Sequence, residues 1–208
     1  MLAIARQSSP RVHEGLEQLG MVHHELALIF LEHSGGAPFM TALQRFLEHD
    51  PTLQTMSADE KVILFKHWSE RGDAAALVRA TETHPEWLPF AWRGVAKYHA
   101  AQNNFRAAVE ITRQYAEKPA LPPAAEGSSV DQLRQALHAN PDNYGLGFQL
   151  SHAHMEQGLP DEALMTIRHF TEMPSCPRYF HFLEAEAWAA KGNWERAWKA
   201  RQKFDAAK

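Results

Sequence analysis

Four segments of this chain share one pattern of residues, and that repetition limits the possible folds more than any other feature. Each segment predicts a helix, a short turn that contains Gly or Asn, and a second helix with an alanine near its start. The segments cover residues 57–84, 88–115, 142–172 and 177–204. Ala163 and Ala197 are 34 residues apart, and Ala76 and Ala108 are 32 apart. Because strand-like alternation is almost absent, the sequence predicts an all-α chain.

The repeated positions have a physical meaning. A small side chain in the second helix allows two antiparallel helices to approach closely, and Gly or Asn in the turn readily adopts the left-handed conformation that ends a helix. The turn position holds Gly72, Asn103, Gly158 and Gly192. In the other three segments the small residue stands five positions after the turn residue. In the first segment that spacing from Gly72 leads to Leu77, so Ala76 fills the small position only if the turn there is one residue shorter. Four bulky residues are expected to pack between neighbouring helix pairs: Trp68, His99, His154 and Trp188.

In these positions the sequence resembles the tetratricopeptide repeat (TPR) family over roughly residues 57–208. Trp92 stands where the family has its first Trp, and the best matches are residues 157–164 and 191–198. The resemblance implies a right-handed α-solenoid of antiparallel helical hairpins. It predicts four parts: an N-terminal helical pair that is a divergent repeat or cap, two repeats, a connector with an extra helix, and two further repeats. These parts span residues 1–56, 57–118, 119–140 and 141–208.

The repeats are interrupted in the middle of the chain. Ala108 and Ala163 are 55 residues apart, which is longer than one period. The excess contains a proline-rich connector at residues 118–127, followed by a predicted helix from Val130 to Ala139. Ser129 and Gln132 have the spacing of a capping box for that helix. The interruption predicts either a hinge or an ordered helix inserted into the stack.

The sequence offers little for catalysis or metal binding. Thirteen histidines are present, but no two are three or four residues apart, the spacing that would place two ligands on one helix face. Cys176 is the single cysteine and has no orienting motif around it. Phosphate-binding glycine loops and nucleophile elbows are absent from the sequence. We therefore expect no cofactor, no metal and no enzymatic activity.

Charge and hydropathy restrict the class of partner. The formal net charge of -4 argues against nucleic acid, because phosphate neutralisation requires a basic surface. No apolar run reaches the ~18 residues that span a bilayer, so direct membrane insertion is not expected. If the chain is complete, the cytoplasm is the expected compartment. The sequence leaves self-association open.

The TPR resemblance also implies a binding surface, because the first helix of each repeat in that family lines a concave groove. Carried over to this sequence, the early groove is basic and the later groove is aromatic, with Glu186 and Ala189 among its last positions. The predicted partner-binding residues are Lys66, Arg93, Lys97, Phe148, His152, Met155, Tyr179 and Phe182. They favour a protein or peptide partner with acidic and apolar residues. The alternative is that the cations are solvated and the aromatic rings pack against the next helix.

The leading functional hypothesis is a non-enzymatic scaffold for protein–protein interaction. The main alternative is a regulatory or substrate-positioning appendage of a larger enzyme, such as a membrane-bound glycan polymerase or ligase, or a glycosyltransferase. A third hypothesis, a pH-responsive assembly module, follows from the number of histidines.

Overall fold

The computed structural model describes residues 36–123 and 128–206. These residues form ten α-helices and one 3₁₀-helix, with no strand among them, so the prediction of an all-α chain is confirmed. The helices are α1 (Gly36–His49), α2 (Ala58–Arg71), α3 (Ala74–Thr83), α4 (Leu88–Ala101), α5 (Phe105–Tyr115), α6 (Val130–Ala139), α7 (Tyr144–Glu156), α8 (Pro160–Thr171), α9 (Arg178–Ala190) and α10 (Trp194–Ala206). The 3₁₀-helix spans Pro85–Trp87. The first helix of the predicted N-terminal pair lies outside the described residues.

Side-chain caps fix where several helices begin. At α2, the Glu60 amide donates to Ser57 Oγ at 3.3 Å and the Ser57 amide donates to Glu60 Oε2 at 2.7 Å. At α6, the same reciprocal pair forms between Ser129 and Gln132, at 3.2 and 2.8 Å. Each pair satisfies backbone N–H groups that have no partner inside the helix. The capping box and the helix predicted at residues 130–139 are therefore confirmed.

Three of the four predicted turns use a left-handed residue. Asn103, Gly158 and Gly192 have φ values of 58°, 71° and 73°, and each lies in a three-residue turn between two helices. Gly72 differs, because its φ is -101° and only Gly72 and Asp73 separate α2 from α3. Asp73 caps α3 directly by accepting from the amides of residues 75 and 76. The first turn is thus one residue shorter than the other three.

The chain divides into two compact units, residues 1–101 and 102–208. This boundary falls inside the predicted repeat at 88–115, so α4 belongs to the first unit and α5 to the second. In the first unit, α2 packs against α1, α3 and α4. Its buried apolar residues include Leu43, Phe46, Leu64, Phe65, Trp68, Leu77, Trp87, Trp92 and Val95. Leu77 is fully buried whereas Ala76 is half-buried, so the larger residue takes the inner position on α3.

In the second unit, α6 through α10 pack in chain order, each against the next. Their main core consists of Phe148, Ala163, Ile167, Phe170, Phe180, Leu183 and Ala187. The helix α5 comes first in this unit along the chain, yet it packs against α10, the last. Val109 of α5 joins Ala189 and Ala197 in a second core cluster, which Trp188, Trp194 and Trp198 surround. The edge formed by α9 and α10 is therefore covered by a helix from far upstream in the sequence.

Candidate functional site

The eight predicted partner-binding residues divide between the two units, so they are described in two groups. Lys66, Arg93 and Lys97 lie in the first unit, on α2 and α4. Phe148, His152, Met155, Tyr179 and Phe182 lie in the second unit, on α7 and α9. The structure supports an exposed surface for the first group and mainly internal packing for the second.

The three basic residues lie within one helical turn of a close contact between α2 and α4. A methyl group added at Gly94 would lie 2.5 Å from Ser69 Cβ, so the two helices nearly touch there. Lys66 precedes Ser69 by one turn on α2, and on α4 Arg93 immediately precedes Gly94 while Lys97 follows it by one turn. All three cations are exposed.

These cations are not neutralised by neighbouring carboxylates. None of Lys66, Arg93 and Lys97 forms an ion pair with any residue of the described ranges. The guanidinium carbon of Arg93 lies 4.5 Å from the centre of the Trp92 ring, which holds it near the helix surface. Arg93 and Lys97 are four residues apart on one helix, where like charges repel. Lys61, Lys66, Arg93 and Lys97 outnumber Asp59 and Glu70, the exposed carboxylates of α2, so this face carries an excess of positive charge.

Apolar side chains lie beside the basic residues on α2 and α4. Val62 and Ile63 of α2 are 36% and 44% exposed, which is high for large apolar residues. Phe90 of α4 is half-buried, and Lys61 Nζ lies 5.4 Å above its ring centre. We call the surface formed by Lys61, Val62, Ile63, Lys66, Phe90, Arg93 and Lys97 the α2–α4 face.

The aromatic group in the second unit is largely core. Phe148 is 1% exposed and belongs to the main cluster with Phe170 and Phe180. Tyr179 is half-buried and packs edge-on against Phe148, with ring centres 5.4 Å apart. The expectation that Phe148 is a surface anchor was therefore wrong, because the neighbouring helices enclose its ring. Phe170 is on a different helix, α8, so the periodicity of α7 could not link it to Phe148.

The other three residues of this group are partly covered. Met155 is half-buried against the main core, and His152 Nδ1 lies 3.6 Å from Glu156 Oε1 on the same helix. Phe182 is half-buried, with its ring centre 5.8 Å from that of Phe204. Packing within the unit accounts for most of the surface of these side chains.

The helix α5 occupies the last predicted groove positions. Arg113 donates to both carboxylate oxygens of Glu186, from Nη2 at 2.6 Å and from Nε at 3.1 Å. Ala189 is 5% exposed and packs with Val109. Two planar groups in this double contact fix the position of α5 on α9. Helix α5 therefore covers these two predicted groove positions on α9.

A shallow cavity of about 540 Å³ lies between the start of α5 and the turn that joins α9 to α10. Arg106 and Lys191 line it, but each is already paired with a carboxylate, Arg106 with Glu110 at 2.8 Å and Lys191 with Asp161. The cations of this cavity are neutralised, in contrast to those of the α2–α4 face.

Sequence reasoning missed a cluster of arginine and aromatic side chains at the start of α9 and the end of α10. Arg201 lies on the buried face of α10, between Ala197 and Phe204 at spacings of four and three residues. A charged residue on an otherwise apolar helix stripe was the available signal. The guanidinium groups of Arg201 and of Arg178, the first residue of α9, both lie over the ring of Phe204.

No family model matches this chain, and no curated protein shows significant similarity to it. Across residues 36–123 and 128–206, no group of three or more His, Cys, Asp or Glu side chains is placed to hold a metal ion. Within the same ranges, no helix is both long enough and apolar enough to cross a bilayer.

Proposed function

We propose that this protein is a non-enzymatic scaffold that binds an acidic, partly apolar segment of another protein on the α2–α4 face. The observation that carries the proposal is the group of three exposed cations without a carboxylate partner, placed beside Val62 and Ile63. Acidic side chains of the partner would supply the missing negative charge, and its apolar side chains would cover the exposed aliphatic residues.

The aromatic and guanidinium groups of this face suit such an interface. Arg93 is of a residue type that often dominates binding energy, and Phe90 is of a type enriched at interfaces. Both contact neighbours that restrict them, Trp92 and Lys61. Side chains that are already ordered lose less conformational entropy when a partner binds. An extended or helical segment along α2 and α4 would meet charge and apolar surface together.

We further propose that the helix pairs are TPR-like repeats, which would make this surface part of a solenoid. The support is local. Pairs α7–α8 and α9–α10 each contain two helices of 12 or 13 residues, a left-handed Gly in the turn, and a fully buried alanine, Ala163 or Ala197, in the second helix. Helix α8 also packs against α9, the contact expected between neighbouring repeats.

Selection of displayed peptides tests the proposed function and requires no natural partner. A random peptide library is selected on the full chain, and the affinity of an enriched peptide is measured by fluorescence anisotropy at low and high salt. We expect enrichment of Asp and Glu near apolar residues. The variant Arg93→Glu/Lys97→Glu should lower the affinity at least tenfold at low salt, because attraction becomes repulsion.

The matched control is Arg79→Glu/Arg134→Glu, which changes the net charge equally. Both residues are exposed, and both lie outside the α2–α4 face. The control should bind the selected peptide as wild type does. Equal losses in the two double variants would show a general charge effect and would refute the proposed surface. Enrichment of peptides without acidic residues would refute it as well.

A further inference from the structure

A second basic site lies in the other unit and shares no residue with the α2–α4 face. The guanidinium carbons of Arg178 and Arg201 lie 4.3 and 4.5 Å from the centre of the Phe204 ring. Arg178 is the first residue of α9, whereas Arg201 and Phe204 are near the end of α10. Two like charges therefore share one aromatic ring where these helices meet.

Arg201 is unusual because it is charged and almost fully enclosed. Its side chain is 7% exposed and lies 5.7 Å from the Phe182 ring centre as well as against Phe204. Its Nε is buried and has no hydrogen-bond partner among the described residues. A guanidinium has five N–H donors, and a buried donor without an acceptor is destabilising.

The carboxylates nearby do not balance these arginines. Asp205 Oδ1 lies 3.5 Å from Arg201 Nε and forms an ion pair with it but no hydrogen bond, and the Asp205 side chain is 48% exposed. Glu186 is held by Arg113 in a double contact. Arg178 forms no ion pair within the described part of the chain. Arg113 and Arg201 thus each have one ion-pair partner, whereas Arg178 has none among the described residues.

The electrostatic environment agrees with this geometry. Burial lowers the pKa of Arg201 from its ordinary value; Asp205 and Glu186 oppose the shift, and the positive charge of Arg178 adds to it. An anion placed between Arg178 and Arg201 would offset both the burial and the repulsion.

We propose that Arg178 and Arg201 bind the carboxylate group of a ligand beside Phe204 and Phe182. A planar carboxylate accepts two parallel N–H bonds from a guanidinium. The two phenyl rings provide apolar contact for the carbon atoms attached to the carboxylate. This site is independent of the proposed function of the α2–α4 face.

Titration of the full chain with phenylacetate, followed by ¹H–¹⁵N NMR of the arginine Nε–H groups, tests the site. We expect a saturable shift of the Arg201 Nε–H signal, because a new acceptor would reach the buried group. Arg178→Gln should weaken phenylacetate binding at least fivefold while the chain stays folded, since Arg178 is exposed. Arg196→Gln is the control: Arg196 is on the same helix as Arg201 and stacks on Trp188 at 4.5 Å, away from Phe204.

Three results would overturn the proposal: no saturable shift, equal affinity in Arg178→Gln, or the same shift with chloride at equal ionic strength. Tighter binding of inorganic phosphate than of phenylacetate would also overturn the assignment to a monocarboxylate. A second arm compares an acetylated pentapeptide ending in Phe, with either a free or an amidated C-terminus. Tighter binding of the free form than of phenylacetate would assign the site to a peptide end, and similar binding would assign it to a small carboxylate.

Discussion

Replacing Gly147 by Ala should destabilise the second unit, although alanine favours helix. Gly147 lies inside α7, against the ring of Phe170. A Cβ added there would be 1.9 Å from Phe170 Cε2 and 2.3 Å from Cζ. Carbon atoms in contact normally stay ~3.5 to 4.0 Å apart, so the ring would have to move by more than an ångström. It has no free space, because Phe170 is fully buried and stacks on Phe180 with ring centres 4.7 Å apart.

Two opposing effects set the magnitude of this change. The gain in helix propensity from Gly to Ala is about 1 kcal/mol. Overpacking a core costs about 1 to 3 kcal/mol, and the short contact here places the cost near the upper end. We therefore expect the free energy of unfolding to fall by about 2 kcal/mol. For a unit of this size the melting temperature should fall by roughly 10 °C.

Urea denaturation followed by circular dichroism measures this effect, and the same helix provides the control. A Cβ at Gly145 would meet only Asn143 Oδ1, at 3.3 Å, so Gly145→Ala should not lower the free energy of unfolding and should raise it by up to about 1 kcal/mol through helix propensity. Combining Gly147→Ala with Phe170→Leu should cost less than the sum of the two single changes, because the smaller side chain leaves room for the methyl group. If Gly147→Ala were as stable as wild type, the close packing of α7 on Phe170 would be refuted.

Three further predictions concern single side chains. Burial, followed by the charge of Arg134, lowers the pKa of His154, whose ring nitrogens have no hydrogen-bond partner in the described residues. Because the unfolded state binds the proton on His154 more tightly than the folded state does, the free energy of unfolding should fall as pH drops below about 6.5. Urea titrations of His154→Leu at several pH values should show that this fall is lost. The same pH profile in the variant and the wild type would contradict the prediction. Ser57→Ala should lower the free energy of unfolding by about 1 kcal/mol through loss of the cap on α2, and Ser57→Asp should restore most of it in the same assay. Burial and the charge of Glu184 raise the pKa of Cys176, so iodoacetamide should alkylate it more slowly at neutral pH than a cysteine in a short peptide; an equal rate would show that the thiol is not shielded.

The helices could be predicted because their signals are local. Helical spacing of apolar residues, the Ser129 cap and the left-handed turn residues each act within a few residues, and the structure has helices in all four repeated segments. Gly72 illustrates the limit of this reasoning. It occupies the same sequence position as Gly158 and Gly192, but Asp73 caps the next helix at once, so no left-handed residue is needed.

The candidate site could be predicted only in part, for a physical reason. A helical position determines which face a residue lies on, and this was sufficient to find Lys66, Arg93 and Lys97 at the surface. Whether another helix covers that face depends on contacts between distant segments. Phe148 was assigned to a groove by its position, but Phe170 and Phe180 enclose it. Neither the sequence pattern nor the repeat length contains this information.

The packing of α5 explains why the repeat pattern is interrupted where it is. The pairs α7–α8 and α9–α10 pack in series, and Val109 of α5 packs against apolar residues of α9 and α10. The chain must then return to α6, at the opposite end of the unit. Packed helices have axes about 8 to 10 Å apart. The path from α5 past α9 and α7 to α6 crosses three such distances, or about 24 to 30 Å. The 14 residues between α5 and α6 reach at most ~50 Å when extended, so the connector is long enough, whereas the three-residue turns found elsewhere would reach only ~10 Å. The proline-rich insertion therefore has the length that this order of packing requires.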